Sequence, residues 1–194
     1  LVGSEMCIRD RVGVDHVTLE GTRVTLDEGC AMDLGGIAKG YASDRLADIF
    51  AQYGVDSALV SLGGNVYARG TKPGGQAWSV AVQHPEQEGY AAMLALTDAF
   101  AVTSGGYQRY FEENGVRYHH IIDPDTLWPA AYYNGVTVLC PDSGMADCLT
   151  TALFCMPLEE GQKLVESLDG VEAMWCTPDK QATTSSGWDS HLKK

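Results

Sequence analysis

The sequence predicts an α+β protein in which a mostly antiparallel sheet packs with helices. From Ile37 to Tyr53, apolar side chains recur at helical spacing, and Gly54 follows as a natural helix end. Short segments of strand type, bounded by Gly, Pro and Asn, fill the middle of the chain, and their spacing favours an antiparallel meander over repeated βαβ units. At 194 residues the chain is long enough for one domain with a sizeable core.

The individual elements follow from alternation and turn residues. A hairpin is predicted at 17–20 and 22–26, split by Gly21. The helix at 37–53 comes next, and further strands are predicted at 57–62, 78–82, 93–97, 99–103, 107–111, 116–118 and 135–139. Helices at 143–156 and 159–168 and a strand at 171–176 follow, and the polar tail from Thr177 is predicted as a turn with a fraying edge.

Charge and composition limit the function classes. The chain carries 26 acidic and 13 basic residues, a formal net charge of -13, which would repel a nucleic-acid backbone. We therefore expect no nucleic-acid partner. A phosphate-bearing ligand would need a metal ion, backbone amides or a well-placed Lys to neutralise it locally.

The first eleven residues do not lead into a convincing element and resemble translated adaptor sequence. We expect 1–11 to be a non-native leader and 12–194 to be the native part. No run of 18 apolar residues is present.

A glycine pair at a strand-to-helix junction is the first candidate for a binding function. Asp33 precedes Gly35-Gly36, and Lys39 lies in the first turn of the following helix. Such a junction can direct free amides and an ammonium group at a phosphate. A tight turn with a solvated Lys explains the same residues.

Two further patterns combine small or titratable residues with turns. Ser104-Gly-Gly-Tyr107 lets backbone approach a ligand closely, although a plain hairpin turn explains its glycines equally well. In His119-His120 the adjacent side chains of a strand face opposite ways, so one histidine would address a given site. A well-placed imidazole can accept a proton and raise a rate about 10²–10⁴-fold, whereas an isolated histidine is more often structural.

Asp147 and Thr151 stand one helical turn apart on a small, apolar helix, where both oxygens project from the same face. Two hard oxygens on one face can hold a magnesium ion. Taken alone, Asp four residues before Thr is more often a solvated or N-terminal helix face than a metal site.

Four motifs in this order resemble the FAD:protein FMN transferase (ApbE) family. They are Asp33-Leu-Gly-Gly-Ile-Ala-Lys-Gly-Tyr, Ser104-Gly-Gly-Tyr, His119-His-Ile-Ile-Asp-Pro and Ala146-Asp-Cys-Leu-Thr-Thr-Ala-Leu. The resemblance spans residues 15 to 176, about the C-terminal half to two-thirds of such a protein. It implies an ApbE-like fold.

The resemblance also implies roles for individual residues. Asp147, Thr151 and the carbonyl of Gly36 would be the ligands of Mg²⁺. Asp33 and Lys39 would contact FAD, with Lys39 near its phosphates. The flavin pocket would be lined by the region of Ser104 and Ile121, and His120 would be the base on the acceptor hydroxyl.

The implied reaction transfers FMN from FAD to a Thr or Ser hydroxyl of a partner protein and releases AMP. The expected partner is an acceptor subunit of a membrane redox complex, and the expected location is the extracytoplasmic face of the bacterial membrane. Two alternatives stay open: hydrolysis of FAD to FMN and AMP at the same site, and a non-catalytic flavin-binding module.

The chain departs from the family pattern after the histidines. Asp125 and Leu127 stand where many relatives have Arg and Gly. The loss of a positive charge and a glycine bears on acceptor recognition. The family's N-terminal portion, which supplies part of the FAD pocket, is outside this chain.

Overall fold

A six-stranded antiparallel sheet forms the centre of the protein. The computed structural model describes residues 11–85, 87–107 and 109–193. In these residues the strands are β1 (Val17–Glu20), β2 (Arg23–Leu26), β3 (Ala58–Leu62), β4 (Asn65–Arg69), β5 (Trp78–Gln83), β6 (Tyr90–Leu96), β7 (Ala99–Gly105), β8 (Tyr110–Glu113), β9 (Val116–His119), β10 (Gly135–Cys140), β11 (Glu172–Cys176) and β12 (Ala182–Thr184). The helices are α1 (Ala38–Gln52), α2 (Ser143–Phe154) and α3 (Leu158–Glu166).

The main sheet has the strand order β12-β11-β10-β7-β4-β3, with antiparallel pairing throughout. β1-β2, β5-β6 and β8-β9 form separate two-stranded hairpins. The α+β prediction is confirmed. The predicted simple meander is wrong, because β7 pairs with β4 and β10, while the hairpins between them leave the sheet.

The core has two parts, one on each face of the sheet. Successive side chains of a strand point to opposite faces, so Val136 and Val138 of β10 pack toward Phe154 and the helices, whereas Leu139 packs with Leu94 on the other face. All six residues of β10 are buried. The sheet is therefore covered by helices on one face and by the β5-β6 hairpin on the other.

Two strands were missed in the sequence. β4 falls between the predicted strands at 57–62 and 78–82, and β12 falls in the predicted tail. Gly63 (φ 56°) and Gly64 (φ 95°) form the two-residue turn that joins β3 to β4. Two positive φ angles are the geometry of a tight β-hairpin, so Gly63 and Gly64 turn the chain directly from β3 into β4.

In the part of the chain described here, no helix has both the length and the apolar character needed to cross a bilayer. The predicted leader 1–11 lies outside the described residues except for Arg11.

Helices α1 and α2 cross at Gly40 with almost no space between their backbones. A Cβ atom built on Gly40 would lie 2.3 Å from the carbonyl oxygen of Ser143 and 2.8 Å from both the Cα atom of Gly144 and the Cβ atom of Asp147. Two of these three atoms belong to backbone, which cannot rotate away. Gly40 is therefore required for the approach of the two helices.

We expect Gly40→Ala to lower the free energy of unfolding by about 1–3 kcal/mol, although Ala is the better helix former by about 1 kcal/mol. Chemical denaturation measures the change. Gly161→Ala in α3 is the matched control, because the nearest atoms to its Cβ are side-chain atoms at 3.3–3.5 Å that can shift. A Gly40→Ala protein as stable as the wild type would contradict the close crossing.

Candidate functional site

The N-terminus of α2 is held by two carboxylates. The backbone amide of Met145 donates to Asp142 Oδ1 at 2.6 Å, and the amides of Ser143 and Gly144 donate to Asp44 of α1 at 2.9 and 2.7 Å. These bonds satisfy amides that have no partner within the helix and place negative charge where the helix dipole favours it. They fix α2 against α1 just before the predicted metal ligands.

Asp147 is a buried carboxylate with a cation beside it. Its side chain is 2% exposed, and Oδ2 accepts a hydrogen bond from the amide of Gly40 at 2.9 Å. The ammonium Nζ of Lys39 lies 3.1 Å from Oδ1 and 3.4 Å from Oδ2. A buried charge requires such pairing to offset its loss of hydration.

Thr151 and Gly36 adjoin this carboxylate. Thr151 Oγ1 lies 3.5 Å from the backbone carbonyl oxygen of Asp147, and a Cβ atom on Gly36 would lie 3.7 Å from Thr151 Oγ1. The structure therefore brings the N-terminal junction of α1 next to the predicted ligand-bearing face of α2, although the two segments are more than a hundred residues apart in the chain.

A cavity of about 680 Å³ opens beside these residues. Asp33, Gly36 and Thr151 lie on its wall, and the other lining residues are Ile37, Ile122, Pro124, Asp125, Cys148, Ala152, Cys155 and Met156. Three of the predicted site residues thus share one cavity. Asp147 and Lys39 are not among its lining residues.

The donor atoms next to the cavity suit a hard cation. A carboxylate, a hydroxyl and a backbone carbonyl are the oxygen ligands that Mg²⁺ accepts, usually together with several waters. Across the described ranges, no group of three or more His, Cys, Asp or Glu side chains is arranged to hold a metal ion. The oxygens that the structure places at this position are the Asp147 carboxylate and the Thr151 hydroxyl, with Gly36 alongside.

Asp33 shapes the turn that precedes α1. Its Oδ1 accepts a hydrogen bond from the amide of Gly35 at 2.6 Å, and a Cβ atom on Gly35 would lie only 2.9 Å from the same oxygen. The short carboxylate-to-amide bond fixes the glycine pair. Asp33 is exposed and faces the cavity.

Ser104 and Ile121 lie away from the cavity wall. Ser104 Oγ is 2.9 Å from Thr150 Oγ1, and the Thr150 hydroxyl donates to the carbonyl of Asp147 at 2.8 Å. Ser104 therefore connects β7 to the helix turn that carries Asp147. The side chain of Ile121 is 5% exposed and belongs to the core, while its neighbour Ile122 lines the cavity.

The two adjacent histidines have different surroundings: His119 is the last residue of β9, whereas His120 follows outside the strand. The amide of Ile121 donates to Nδ1 of His119 at 3.2 Å, so that nitrogen is unprotonated. Nε2 then carries the proton and donates to the carbonyl of Ala130 at 2.9 Å. The ring also meets the edge of Phe154 at a centroid distance of 5.6 Å. His119 is structural.

His120 is exposed, with its Nδ1 atom 3.4 Å from the carbonyl oxygen of Arg109. This is the histidine of the pair whose ring is accessible to a reactant. It does not belong to the wall of the Thr151 cavity.

The turn after the histidines explains one departure from the family pattern. The carboxylate of Asp123 accepts hydrogen bonds from the amides of Asp125 at 2.8 Å and Thr126 at 3.4 Å. Leu127 then has a φ of 59°, in the left-handed region that favours glycine. A glycine would suit this backbone conformation, which the chain adopts here with a leucine.

Several residues that build the site were not identified in the sequence. Gly40, Asp44 and Asn65 act through contacts with α2, and no local pattern marks such contacts. Asn65 is fully buried, and it accepts from Ser43 at 2.8 Å and donates to Ser143 at 2.7 Å. A glycine within the first turns of a helix costs about 1 kcal/mol of helix stability relative to alanine. Of these three residues, Gly40 is therefore the one whose presence in a predicted helix could have indicated a close contact.

His119 should make stability depend on pH. Burial lowers its pKa below the ordinary 6.5, so the unfolded chain binds more protons than the folded one between the two values. The stability contribution is complete above pH 6.5 and is lost as the pH falls toward the folded-state pKa. We expect the melting temperature of the wild type to fall more between pH 7.5 and about pH 5 than that of His119→Gln.

Parallel curves for wild type and His119→Gln would contradict a neutral, hydrogen-bonded His119.

Known proteins match this chain over most of its length. The ApbE family model matches residues 6–175. A protein named FAD:protein FMN transferase from Treponema pallidum is 40% identical over 170 residues, which are 82% of this chain and 47% of that protein. One with the same name from Klebsiella pneumoniae is 37% identical over 161 residues, which are 81% of this chain and 49% of that protein.

Solved structures agree with the sequence matches. The ApbE protein of Thermotoga maritima superimposes with a TM-score of 0.91 at 31% identity, over 99% of this chain and 64% of that one. The flavin transferase ApbE of Vibrio cholerae superimposes with a TM-score of 0.86 at 30% identity, over 99% and 63%. The chain spans about half the length of the curated relatives it matches. From the family match and these identities, the chain belongs to the ApbE family.

Proposed function

We propose that this protein transfers FMN from FAD to a Thr or Ser hydroxyl of a partner protein, releases AMP, and depends on Mg²⁺. The relatives named FAD:protein FMN transferase support the reaction class. The observation that carries the proposal for this chain is the buried Asp147, with Lys39 on its carboxylate and with Thr151 and Gly36 alongside.

Asp147, Thr151 and the carbonyl of Gly36 would hold the Mg²⁺. Their oxygen-only chemistry fits this ion, and three protein oxygens leave coordination positions for waters and phosphates. Bound Mg²⁺ would supply neutralisation of the charge that spreads over the phosphate oxygens during phosphoryl transfer. This neutralisation would matter because the chain has a net charge of -13, and a negatively charged protein repels a pyrophosphate.

The chain's own groups supply positioning and proton transfer. Lys39 lies in the first turn of α1 and is half-buried, so its ammonium can reach both Asp147 and a phosphate at the entrance of the site. His120 would accept the proton of the acceptor hydroxyl, because its ring is exposed, whereas the ring of His119 is half-buried and has both nitrogens hydrogen-bonded. The Asp33 carboxylate accepts the Gly35 amide and so fixes the conformation of the glycine turn at the cavity wall.

The same groups could serve water as the acceptor, which would make the protein an FAD pyrophosphatase. The exposure of His120 is the observation in favour of this alternative, because an exposed base is open to water as well as to a protein hydroxyl. A flavin-binding module without turnover is a third candidate function.

We propose that the acceptor is a subunit of a membrane redox complex and that the protein acts on the extracytoplasmic face of a bacterial membrane. The family resemblance supports both proposals.

One assay separates these functions. The full-length protein is incubated with FAD, MgCl₂ and a Thr-containing acceptor peptide, and the peptide is analysed by mass spectrometry. An FMN-sized mass gain on the peptide supports the transferase. Free FMN and AMP with unmodified peptide support the hydrolase, and retained FAD without product supports the binding module.

We expect Asp147→Asn to abolish Mg²⁺-dependent transfer in this assay. The substitution removes the charge but keeps an oxygen that can accept the Gly40 amide, so the fold should persist. Asp142→Asn is the matched control, because Asn caps a helix as well as Asp and the site keeps its carboxylate. Full activity of Asp147→Asn would show that the metal assignment is wrong.

We expect His120→Gln to lower the rate of transfer by about 10²–10⁴-fold, the usual contribution of a general base, with little effect on FAD affinity. Single-turnover rates and flavin fluorescence titration measure the two quantities separately. His191→Gln should behave as the wild type. A His120→Gln rate within about threefold of the wild type would contradict the assignment of the base.

A further inference from the structure

The ion pair between Lys39 and Asp147 joins a movable cation to a fixed carboxylate. The side chain of Asp147 is 2% exposed and is held by the Gly40 amide, whereas the side chain of Lys39 is 39% exposed. The Lys39 stem passes the β3-β4 turn, with its Cδ atom 3.9 Å from a Cβ atom built on Gly63. Lysine has four rotatable stem bonds and a point charge that needs no fixed geometry. Of the two partners, Lys39 is therefore the one that can leave.

The ammonium contacts the same atoms that a divalent cation would need. Nζ lies within hydrogen-bond distance of both carboxylate oxygens of Asp147, and Oδ2 already accepts the Gly40 amide. Two cations on one buried carboxylate would repel each other strongly, because screening is weak away from water. The carboxylate can compensate one of them.

We propose that Lys39 is an exchangeable counter-ion of Asp147: a divalent cation that binds Asp147 displaces the ammonium, which becomes available to the phosphates of the substrate. This inference rests on the proposed function. The exchange keeps the buried carboxylate compensated at every stage. The exchange also couples binding of the divalent cation to binding of the phosphate. When the Lys39 ammonium contacts the phosphate, it no longer competes with the cation for the Asp147 carboxylate.

Reciprocal coupling is the consequence that distinguishes exchange from a permanent structural pair. If phosphate binding removes Lys39 from Asp147, a pyrophosphate ligand must tighten Mg²⁺ binding, and Mg²⁺ must tighten pyrophosphate binding by the same factor. A Lys39 that only stabilises the fold would produce no such dependence on its side chain.

The test compares two opposite substitutions by isothermal titration calorimetry with MgCl₂ alone. Lys39→Met keeps the apolar stem and removes the competing charge, so we expect Mg²⁺ to bind about 5–10-fold more tightly. Lys39→Arg strengthens the pair, because a guanidinium binds a carboxylate through two parallel bonds, so we expect weaker Mg²⁺ binding. Lys72→Met is the control, because the wild-type Lys72 ammonium contacts Ser79 of β5 and not Asp147. Its Mg²⁺ affinity should match that of the wild type.

Two further readouts remain informative if one variant is unstable. Without Mg²⁺, Lys39→Met should melt below the wild type, because Asp147 loses its compensation, and saturating MgCl₂ should close that gap. ADP, a probe that carries a pyrophosphate, should raise the Mg²⁺ affinity of the wild type more than that of Lys39→Met. Circular dichroism before each titration confirms that the variants are folded.

The outcomes separate the exchange from the proposed function. Equal or weaker Mg²⁺ binding by Lys39→Met, with intact binding by the wild type, overturns the exchange and leaves the metal site standing. Equal Mg²⁺ binding by wild type and Asp147→Asn overturns the metal assignment and the exchange together. Tighter binding by Lys39→Met in a protein that transfers no FMN supports the exchange and refutes the transferase.

Discussion

The contact of Gly40 with Asp147 is the interaction on which the candidate site depends. Because residue 40 has no side chain, the backbone of α1 reaches α2 closely enough for its amide to bind the Asp147 carboxylate at 2.9 Å. The same closeness removes the carboxylate from water and makes the nearby Lys39 necessary as compensation. The close approach of the two helices at Gly40 thus explains their packing and the burial of the Asp147 charge. It also explains why Lys39, the only basic residue in Asp33–Tyr41, lies beside that charge.

Hydrogen bonds between polar side chains extend this contact to the sheet. These bonds join Ser43 of α1, Asn65 at the start of β4 and Ser143 at the start of α2. Ser104 and Thr150 connect β7 to the turn of α2 that carries Asp147. Buried polar groups that are fully bonded specify one arrangement, because any slip would leave a partner unpaired. The site is therefore held by the sheet as well as by the two helices.

The acidic character of the chain gives this arrangement a functional meaning. Asp44 and Asp142 occupy the positive end of α2, so that end is already neutralised, and Asp147 follows within the next turn. A phosphate approaching such a surface meets negative charge unless a cation intervenes. Lys39, and the Mg²⁺ proposed above, are the cations that would offset that repulsion.

The sequence by itself determined the fold class and most helices and strands, whereas the grouping of residues on α2 and before α1 into one candidate site came from the family resemblance. Periodicity and turn residues are local properties, so they were visible without coordinates. The pairing of β7 with β4 and β10, the hairpin at Gly63-Gly64, and the separate surroundings of His119 and His120 were decided by tertiary structure. So was the meeting of Lys39 with Asp147. Apart from the Gly63-Gly64 hairpin, whose strands are neighbours in the chain, these contacts join residues far apart in the sequence. Their formation depends on how closely two backbones can approach, which a side-chain pattern does not encode.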